Sequence, residues 1–512
     1  MSPRHVSADK VLTQPRKEKI IMKRSIATLT IYLLLYARIF SATVEKPNII
    51  YILCDDLGYG DVKCLGGERS KIATPNMDRL AAGGMIFTDA HSSSAVCTPT
   101  RYGILTGRYN WRTHLQKGVL SGYSAPLIDK DRLTVPAFLK QHGYSTACIG
   151  KWHLGMTISQ NDPLAAVRDG PTTRGFDSYF GISASLDMPP FAYIENDHFT
   201  EAPTAEKQWL RKGAAAPGFD AADVLPTLAR KAVEYISARA KEPTPFFLYL
   251  PLASPHTPIL PTQEWQGKSG LSAYGDFVME TDWAVGEVLA ALDSAGIANN
   301  TLIMFTSDNG CSPAAKVDEL ESKGHFPSEL RRGYKADLWD GGHRIPFIVR
   351  WPDRIKAGGR TDQLTCLTDL MATSAEIVGA KLPDHAGEDS VSIMPVLLGT
   401  AKGPVREAVI HHSISGNFAI RQGPWKLEWC KGSGGWSKGG IMPEPGQLYD
   451  MSKDVSEKKN EYNGHPEIVS KLSKMLEKYV ADGRSTPGPS FKNDVPVEIN
   501  KTGAPKAKNK KK

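Results

Sequence analysis

Five short apolar runs, rich in β-branched and aromatic residues, punctuate the first two thirds of the chain: Asn48 to Cys54, Ser145 to Ile149, Pro245 to Leu250, Leu302 to Thr306 and Pro346 to Arg350. None alternates polar and apolar positions, so each predicts a strand buried on both faces, as in a parallel sheet covered by helices. Helical periodicity lies between them: Val278, Val285, Val288, Leu289 and Leu292 recur at helical spacing within Gly275 to Ala295, and Gly296 follows as a stop. The pattern predicts an α/β fold. Beyond Gly399 it changes to short alternating runs, Ala408 to His412, Phe418 to Arg421 and Trp425 to Trp429, then glycine-rich loops and a helix over Glu467 to Tyr479. That stretch predicts a smaller C-terminal α+β domain of antiparallel strands with one closing helix. Residues 182–225 fit neither pattern. Their proline, alanine and glycine clusters surround an aromatic and polar stretch, Asp187 to His198, and predict an inserted lid or substrate loop.

Composition narrows the class. With 512 residues, 41% hydrophobic and 23% charged, the chain is globular and too long for one small core. Seven cysteines are too few for a disulfide scaffold. A net charge of +7 invites a nucleic-acid partner, but its distribution argues against one. Residues 1–46 carry a balance of +6 and residues 491–512 one of +5, which leaves −4 over 47–490. The C-terminal excess, ending in Lys506, Lys508, Lys510, Lys511 and Lys512, predicts a solvated, disordered tail over 491–512. At the other end Lys23 and Arg24 precede the apolar run Ile26 to Ala37, with small residues Ser41 and Ala42 near a cleavage point. This predicts a secretory leader over 1–42, with Met22 as an alternative start. An uncleaved anchor is the competing reading, although the run is short for a membrane span and Arg38 interrupts it. The expected organisation is a leader at 1–42, a catalytic domain at 47–400, a C-terminal subdomain at 404–490 and a tail at 491–512, in an exported protein with no stable membrane span.

Ligands of open α/β sheets bind beyond the carboxyl ends of the strands. Four predicted strands end in ligand-competent residues: Asp55 and Asp56; Gly150, Lys151, Trp152 and His153; Ser254, Pro255 and His256; Ser307, Asp308, Asn309 and Gly310. Any one of these sets suits a turn or a helix cap, but four together are harder to explain that way. Asp55, Asp56, Asp308 and Asn309 offer only hard oxygen donors and point to Ca2+, or to Mg2+, rather than zinc. In the segment Ser94 to Gly107, Pro99 suits the first turn of a helix and Gly107 its end. Cys97 then sits at the helix N-terminus, where unpaired N–H groups favour an anion, with Arg101 four residues on along the same face. From the residues alone Cys97 reads either as a low-pKa thiolate nucleophile or as a small core residue.

Cys97-Thr98-Pro99-Thr100-Arg101, followed by Leu105-Thr106-Gly107-Arg108, resembles the Cys-x-Pro-x-Arg signature of the type I, formylglycine-dependent sulfatases, of the arylsulfatase and N-acetylgalactosamine-6-sulfatase kind. Pro47 to Asp61, Gly150 to Gly155, Pro255-His256 and Thr306 to Gly310 are similar to the family's other blocks, in order, and Lys335 is similar to its late lysine. The resemblance covers roughly residues 47–480. It implies an alkaline-phosphatase-like fold, a mixed and mostly parallel sheet sandwiched by helices. It also implies that Cys97 is oxidised to Cα-formylglycine by a maturation enzyme that reads Pro99 and Arg101, and that the hydrated aldehyde attacks a sulfate monoester. Asp55, Asp56, Asp308, Asn309 and the residue at 97 would hold the metal, Ca2+ in most relatives. Arg101 would stabilise the hydrated aldehyde, and Lys151, His256 and Lys335 would contact the sulfate. His153 would be the base that expels sulfate from the resulting hemiester, and either His256 or Lys335 would protonate the leaving alkoxide.

Three other readings compete: a phosphodiesterase or phosphonate monoester hydrolase of the same superfamily, a catalytically silent polyanion-binding exported protein, and a cysteine hydrolase. The Ser-Asp-Asn-Gly ending and the Lys-x-His block favour a sulfatase, and the complete set of metal-ligand candidates argues against a silent protein. The expected substrate is a sulfated sugar or polysaccharide fragment. Within the insertion, Asp187, Tyr193, Glu195, Asn196, Asp197 and His198 are typed for sugar hydroxyls, with Asp187 and His198 the substrate-binding candidates.

Overall fold

A computed structural model describes residues 1–4 and 46–499 in two units, Met1–Lys46 and Pro47–Lys512. In the first, residues 1–4 are exposed and without regular structure. Residues 5–42 of the expected leader lie outside the described residues, as does the lysine run after 499. Among the described residues no helix is long and apolar enough to cross a membrane.

The second unit is built on a ten-stranded sheet. At its centre Asn48–Cys54 runs parallel to Phe246–Pro251 on one side and to Thr301–Ser307 on the other, and Ser145–Lys151 and Ser178–Ile182 continue the parallel order. Alternate side chains of the first strand feed two separate cores. Ile50, Ile52 and Cys54 pack with the helices Val224–Arg239 and Ala273–Ser294, while Ile49, Tyr51 and Leu53 pack with Cys97–Thr106, Val135–Gln141 and Leu370–Ile377. Burial on both faces is why these strands lack a polar alternation.

One strand departs from the expected parallel order. Phe347–Arg350 runs antiparallel to Thr301–Ser307, and Met85–Phe87 is antiparallel to it in turn. The connection between the first two contains only short helical turns, the longest being Val317–Ser322, so the chain re-enters the sheet at the end where it left. At the opposite edge Ile194–Glu195 and His198–Phe199 add two short antiparallel strands, and Ala205–Trp209 pairs with Arg211–Ala215 as a separate hairpin. The segment read as an irregular insertion is thus partly sheet.

The C-terminal part is a four-stranded antiparallel meander, Val409–His412, Phe418–Gln422, Trp425–Glu428 and Gln447–Asp450, covered by the helix Pro466–Ala481 through Leu472, Leu476 and Tyr479. Tyr109 and Trp111 from the other side enter the same core. Residues 491–499, expected to belong to a free tail, are held by hydrogen bonds. Asp494 pairs with Arg108 at 3.0 Å, and Asn493 Oδ1 accepts from Arg112 at 2.9 Å. Both guanidiniums are fully buried, and a buried cation needs acceptors that this segment supplies.

Candidate active site

Parallel pairing sets the carboxyl ends of four strands side by side, and residues hundreds of positions apart meet there. The Lys151 ammonium touches Asp55 Oδ2, and Lys335 Nζ lies 2.6 Å from Asp56 Oδ1. His256 Nε2 is 3.6 Å from Asp56 Oδ2, and Asn309 Nδ2 donates to Asp56 Oδ1 at 2.7 Å. Arg101 donates through Nε and Nη2 to Asp308 Oδ2 at 3.0 and 2.8 Å, and through Nη1 to the Lys151 carbonyl at 2.8 Å. Cys97 opens the helix Cys97–Thr106, which Gly107 ends with φ +64°. A Cβ at Gly107 would lie 2.7 Å from that of Met371, so its glycine serves both the turn and the close packing. Asp56, His153 and Ala336 also hold left-handed φ values of 67°, 55° and 84°, unusual for side-chain-bearing residues; the first two lie just after strands and the third follows Lys335.

Three acidic side chains, Asp55, Asp56 and Asp308, face three basic ones, Arg101, Lys151 and Lys335, all buried. Burial opposes ionisation of Asp55, but Lys151, with His256 and Arg101 behind it, holds its carboxyl well below the usual range. Asp308 goes the other way, pushed up to about 7 by burial and the neighbouring Asp55. Burial pushes the Cys97 thiol up despite Lys151 and Lys335, so an unmodified cysteine here is a thiol and a weak nucleophile. Burial and then Lys151 hold His153 well below the ordinary imidazole range. The His153 Nε2–H donates to the Leu120 carbonyl at 2.8 Å, so the lone pair is on Nδ1, which is buried without a partner.

Asp55 Oδ1, Asp56 Oδ2 and Asn309 Oδ1 are likewise buried without hydrogen-bond partners. Three orphaned oxygens at one place would each cost desolvation energy unless something positive engages them. Ligand atoms of Asp55, Asp56 and His256 lie within 4.8 Å of one another, and the donor chemistry fits a hard divalent cation.

Of the two sugar-binding candidates, Asp187 follows the carboxyl end of Ser178–Ile182 and is buried, with Oδ2 on Arg211 and Oδ1 unpartnered. His198 lies elsewhere. Glu195 pairs with Phe180 and His198 with Glu195, so the hairpin folds back toward the start of Ser178–Ile182; His198 is exposed and pairs with Asp197 at 3.1 Å. Ser183 and Ser185, missed in the sequence, carry buried hydroxyls without partners, and the Ser183 carbonyl accepts from His153 N at 3.0 Å. The sequence signal was a fifth parallel strand ending at Ile182, hidden by the irregular stretch after it.

Residues 47–380 match the sulfatase family, and residues 334–482 match the C-terminal region of N-sulphoglucosamine sulphohydrolase. The chain is 35% identical to an N-acetylgalactosamine-6-O-sulfatase of Bacteroides thetaiotaomicron, over 85% of this chain and 93% of that one. It is 34% identical to human arylsulfatase A, over 88% and 91% of the two chains. A solved structure from work on glycosaminoglycan metabolism by Bacteroides thetaiotaomicron superimposes with a TM-score of 0.76 at 33% identity, over 85% of this chain and 99% of that one. A structure described as a complex with k-i-k-neocarrahexaose gives a TM-score of 0.68 at 26% identity, over 88% and 95%. The match spans the sheet, the cluster at its strand ends and the C-terminal meander together: the chain belongs to the sulfatase family and is a sulfuric ester hydrolase.

Proposed function

We propose that this protein is an exported hydrolase that removes sulfate from a carbohydrate, using Cα-formylglycine made from Cys97 by a maturation enzyme. The observation that carries the reading is the convergence of orphaned Asp55, Asp56 and Asn309 oxygens with Arg101, Lys151 and Lys335 beside a cysteine that opens a helix. Sugar as the substrate class is supported by the relatives named above, an N-acetylgalactosamine-6-O-sulfatase and a structure described in complex with k-i-k-neocarrahexaose.

Asp55, Asp56, Asp308, Asn309 and the residue at 97 would hold Ca2+, which supplies Lewis-acid polarisation of a sulfate oxygen and favours an ionised hydroxyl. The modified residue at 97 supplies that hydroxyl. The remaining work falls to side chains of the unmodified chain. Lys151 and Lys335 bind and orient the sulfate oxygens, His256 lines the same site beside Asp56, and Arg101 fixes the helix start against Asp308. His153, neutral and with its Nδ1 lone pair free, is the base that takes the proton when sulfate departs. His256 donates Nδ1–H to the Thr257 carbonyl at 2.6 Å, which leaves Nε2 without a proton. Burial works against the Lys335 charge, but Asp56 together with Cys97, Asp55 and Asp308 outweighs it and keeps the ammonium protonated, and we assign Lys335 as the proton source for the leaving alkoxide.

The test is sulfate release from defined sulfated sugars by protein co-expressed with a formylglycine-generating enzyme, with phosphate esters as controls. Mass spectrometry of the peptide spanning Cys97 should show the aldehyde. Full activity in a protein whose Cys97 is still alkylatable would overturn the mechanism, and preferential phosphate release would overturn the substrate class.

A further inference from the structure

Of the ten tryptophans in the chain, Trp436 is the only exposed one, at 49%, and among the described residues it makes no ring stacking or cation–π contact. It belongs to a glycine-rich strap of the C-terminal part, Lys431-Gly-Ser-Gly-Gly-Trp-Ser-Lys438. An indole left half in water on a glycine-rich segment lacks the burial that normally accounts for a tryptophan.

The strap is anchored beside the catalytic cluster. Asp337, two residues after Lys335, accepts through Oδ1 from the backbone N–H groups of Trp436 and Ser437 at 2.9 and 3.0 Å, and through Oδ2 from Ser437 Oγ at close range. Leu338 N donates to the Ser433 carbonyl at 2.7 Å. A Cβ at Gly435 would lie 2.2 Å from the Ala336 carbonyl oxygen, so only glycine lets the strap approach this closely. Ala336 N in turn donates to Ala95, two residues before Cys97, at 2.8 Å, and Ile414 N donates to the Ala336 carbonyl at 3.2 Å. Continuous main-chain bonds therefore tie the strap to the segments that carry Lys335 and Cys97.

We propose that Trp436 is a specificity-determining residue, an aromatic platform for the sugar ring whose sulfate enters the cluster, with Asp337 as its positioning residue. The inference rests on the sulfated-carbohydrate reading above. A pyranose presents an apolar C–H face that an indole covers well, and a strap held at Asp337 meets it with little ordering cost. Lys431 and Lys438, both exposed, add positive charge to the same strap, which suits an anionic glycan.

The experiment compares kcat/KM for a sulfated sugar with that for a small aryl sulfate in the matured enzyme, for the natural protein and for Trp436→Ala, Trp436→Phe and Asp337→Asn. The sugar-to-aryl ratio should fall about tenfold in Trp436→Ala, through KM for the sugar. It should recover within about threefold in Trp436→Phe, and fall in Asp337→Asn in the same direction as in Trp436→Ala. Circular dichroism and melting temperature confirm that each variant is folded, and Trp436→Phe keeps the test interpretable if another is not. A ratio unchanged within twofold in Trp436→Ala overturns the platform while leaving the sulfatase reading intact. A natural protein that turns over aryl sulfate but no sulfated sugar overturns the carbohydrate reading and the platform together.

Discussion

Arg101 grips a single oxygen of Asp308 with two of its nitrogens, at 3.0 and 2.8 Å, and spends a third on the Lys151 carbonyl. One side chain thereby links the helix that opens at Cys97 to two separate strand ends. The planar fork makes the triple engagement possible, and a lysine ammonium cannot reproduce it. Arg101→Ala should leave Asp308 and Asp55 short of a partner and cost about 3–5 kcal/mol of stability, read by urea unfolding of chelated protein. Arg101→Lys should keep the charge, lose the geometry and reduce kcat by roughly 100-fold or more.

The three orphaned oxygens predict a metal dependence of folding as well as of activity. Chelation should lower the melting temperature, and Ca2+ should restore it in a concentration-dependent way, because an ion bound only by the folded state stabilises it by mass action. Asn309→Ala should weaken that thermal response while leaving the chelated protein's melting temperature within a few degrees. A melting temperature indifferent to Ca2+ would contradict the ligand set.

Leaving-group chemistry separates Lys335 from His256. A nitrophenolate departs without protonation, whereas a sugar alkoxide needs a proton in the transition state. Lys335→Ala should therefore lose far more kcat on a sugar sulfate than on nitrophenyl sulfate, by roughly 10- to 100-fold in the ratio. His256→Ala should depress both alike. The opposite pattern would make His256 the acid.

A second buried cluster governs stability rather than chemistry. His91 and His343 share a 3.0 Å contact between their Nδ1 atoms, and His343 stacks on His411 at 3.7 Å with the planes 12° apart. Near-parallel rings cannot both aim in-plane lone pairs at one ion, so the arrangement is packing rather than a metal centre. Burial holds His91 down to about 4 and keeps His343 and His411 well below the ordinary value of 6.5. Between about 4 and 6.5 the unfolded chain binds protons that the folded one refuses, so stability falls as pH drops through that window. His411, with neither ring nitrogen partnered, is the informative position. His411→Leu should be neutral or stabilising at pH 7 and should shrink the stability loss between pH 7 and 5, measured by urea unfolding.

The sequence alone determined the α/β class, the strand ends that carry Asp55, Asp56, Lys151, His256, Asp308 and Asn309, and the helix opening at Cys97. These are local signals: buried strands read as unbroken apolar runs, and the polar residues at the end of each run form the cluster at the strand ends. Tertiary structure decided what depends on direction and register. A short connection without a crossover helix reversed Phe347–Arg350. Hairpin register carried His198 toward the start of Ser178–Ile182, while Asp187 stayed beyond its carboxyl end, paired with Arg211. Buried Arg108 and Arg112 drew residues 493 and 494 onto the body, although their composition read as part of a free tail. Orphaned oxygens, the free lone pair of His153 and the strap bearing Trp436 are facts about what lies near what. Strand pairing and buried charge create them, and no stretch of the chain encodes them by itself.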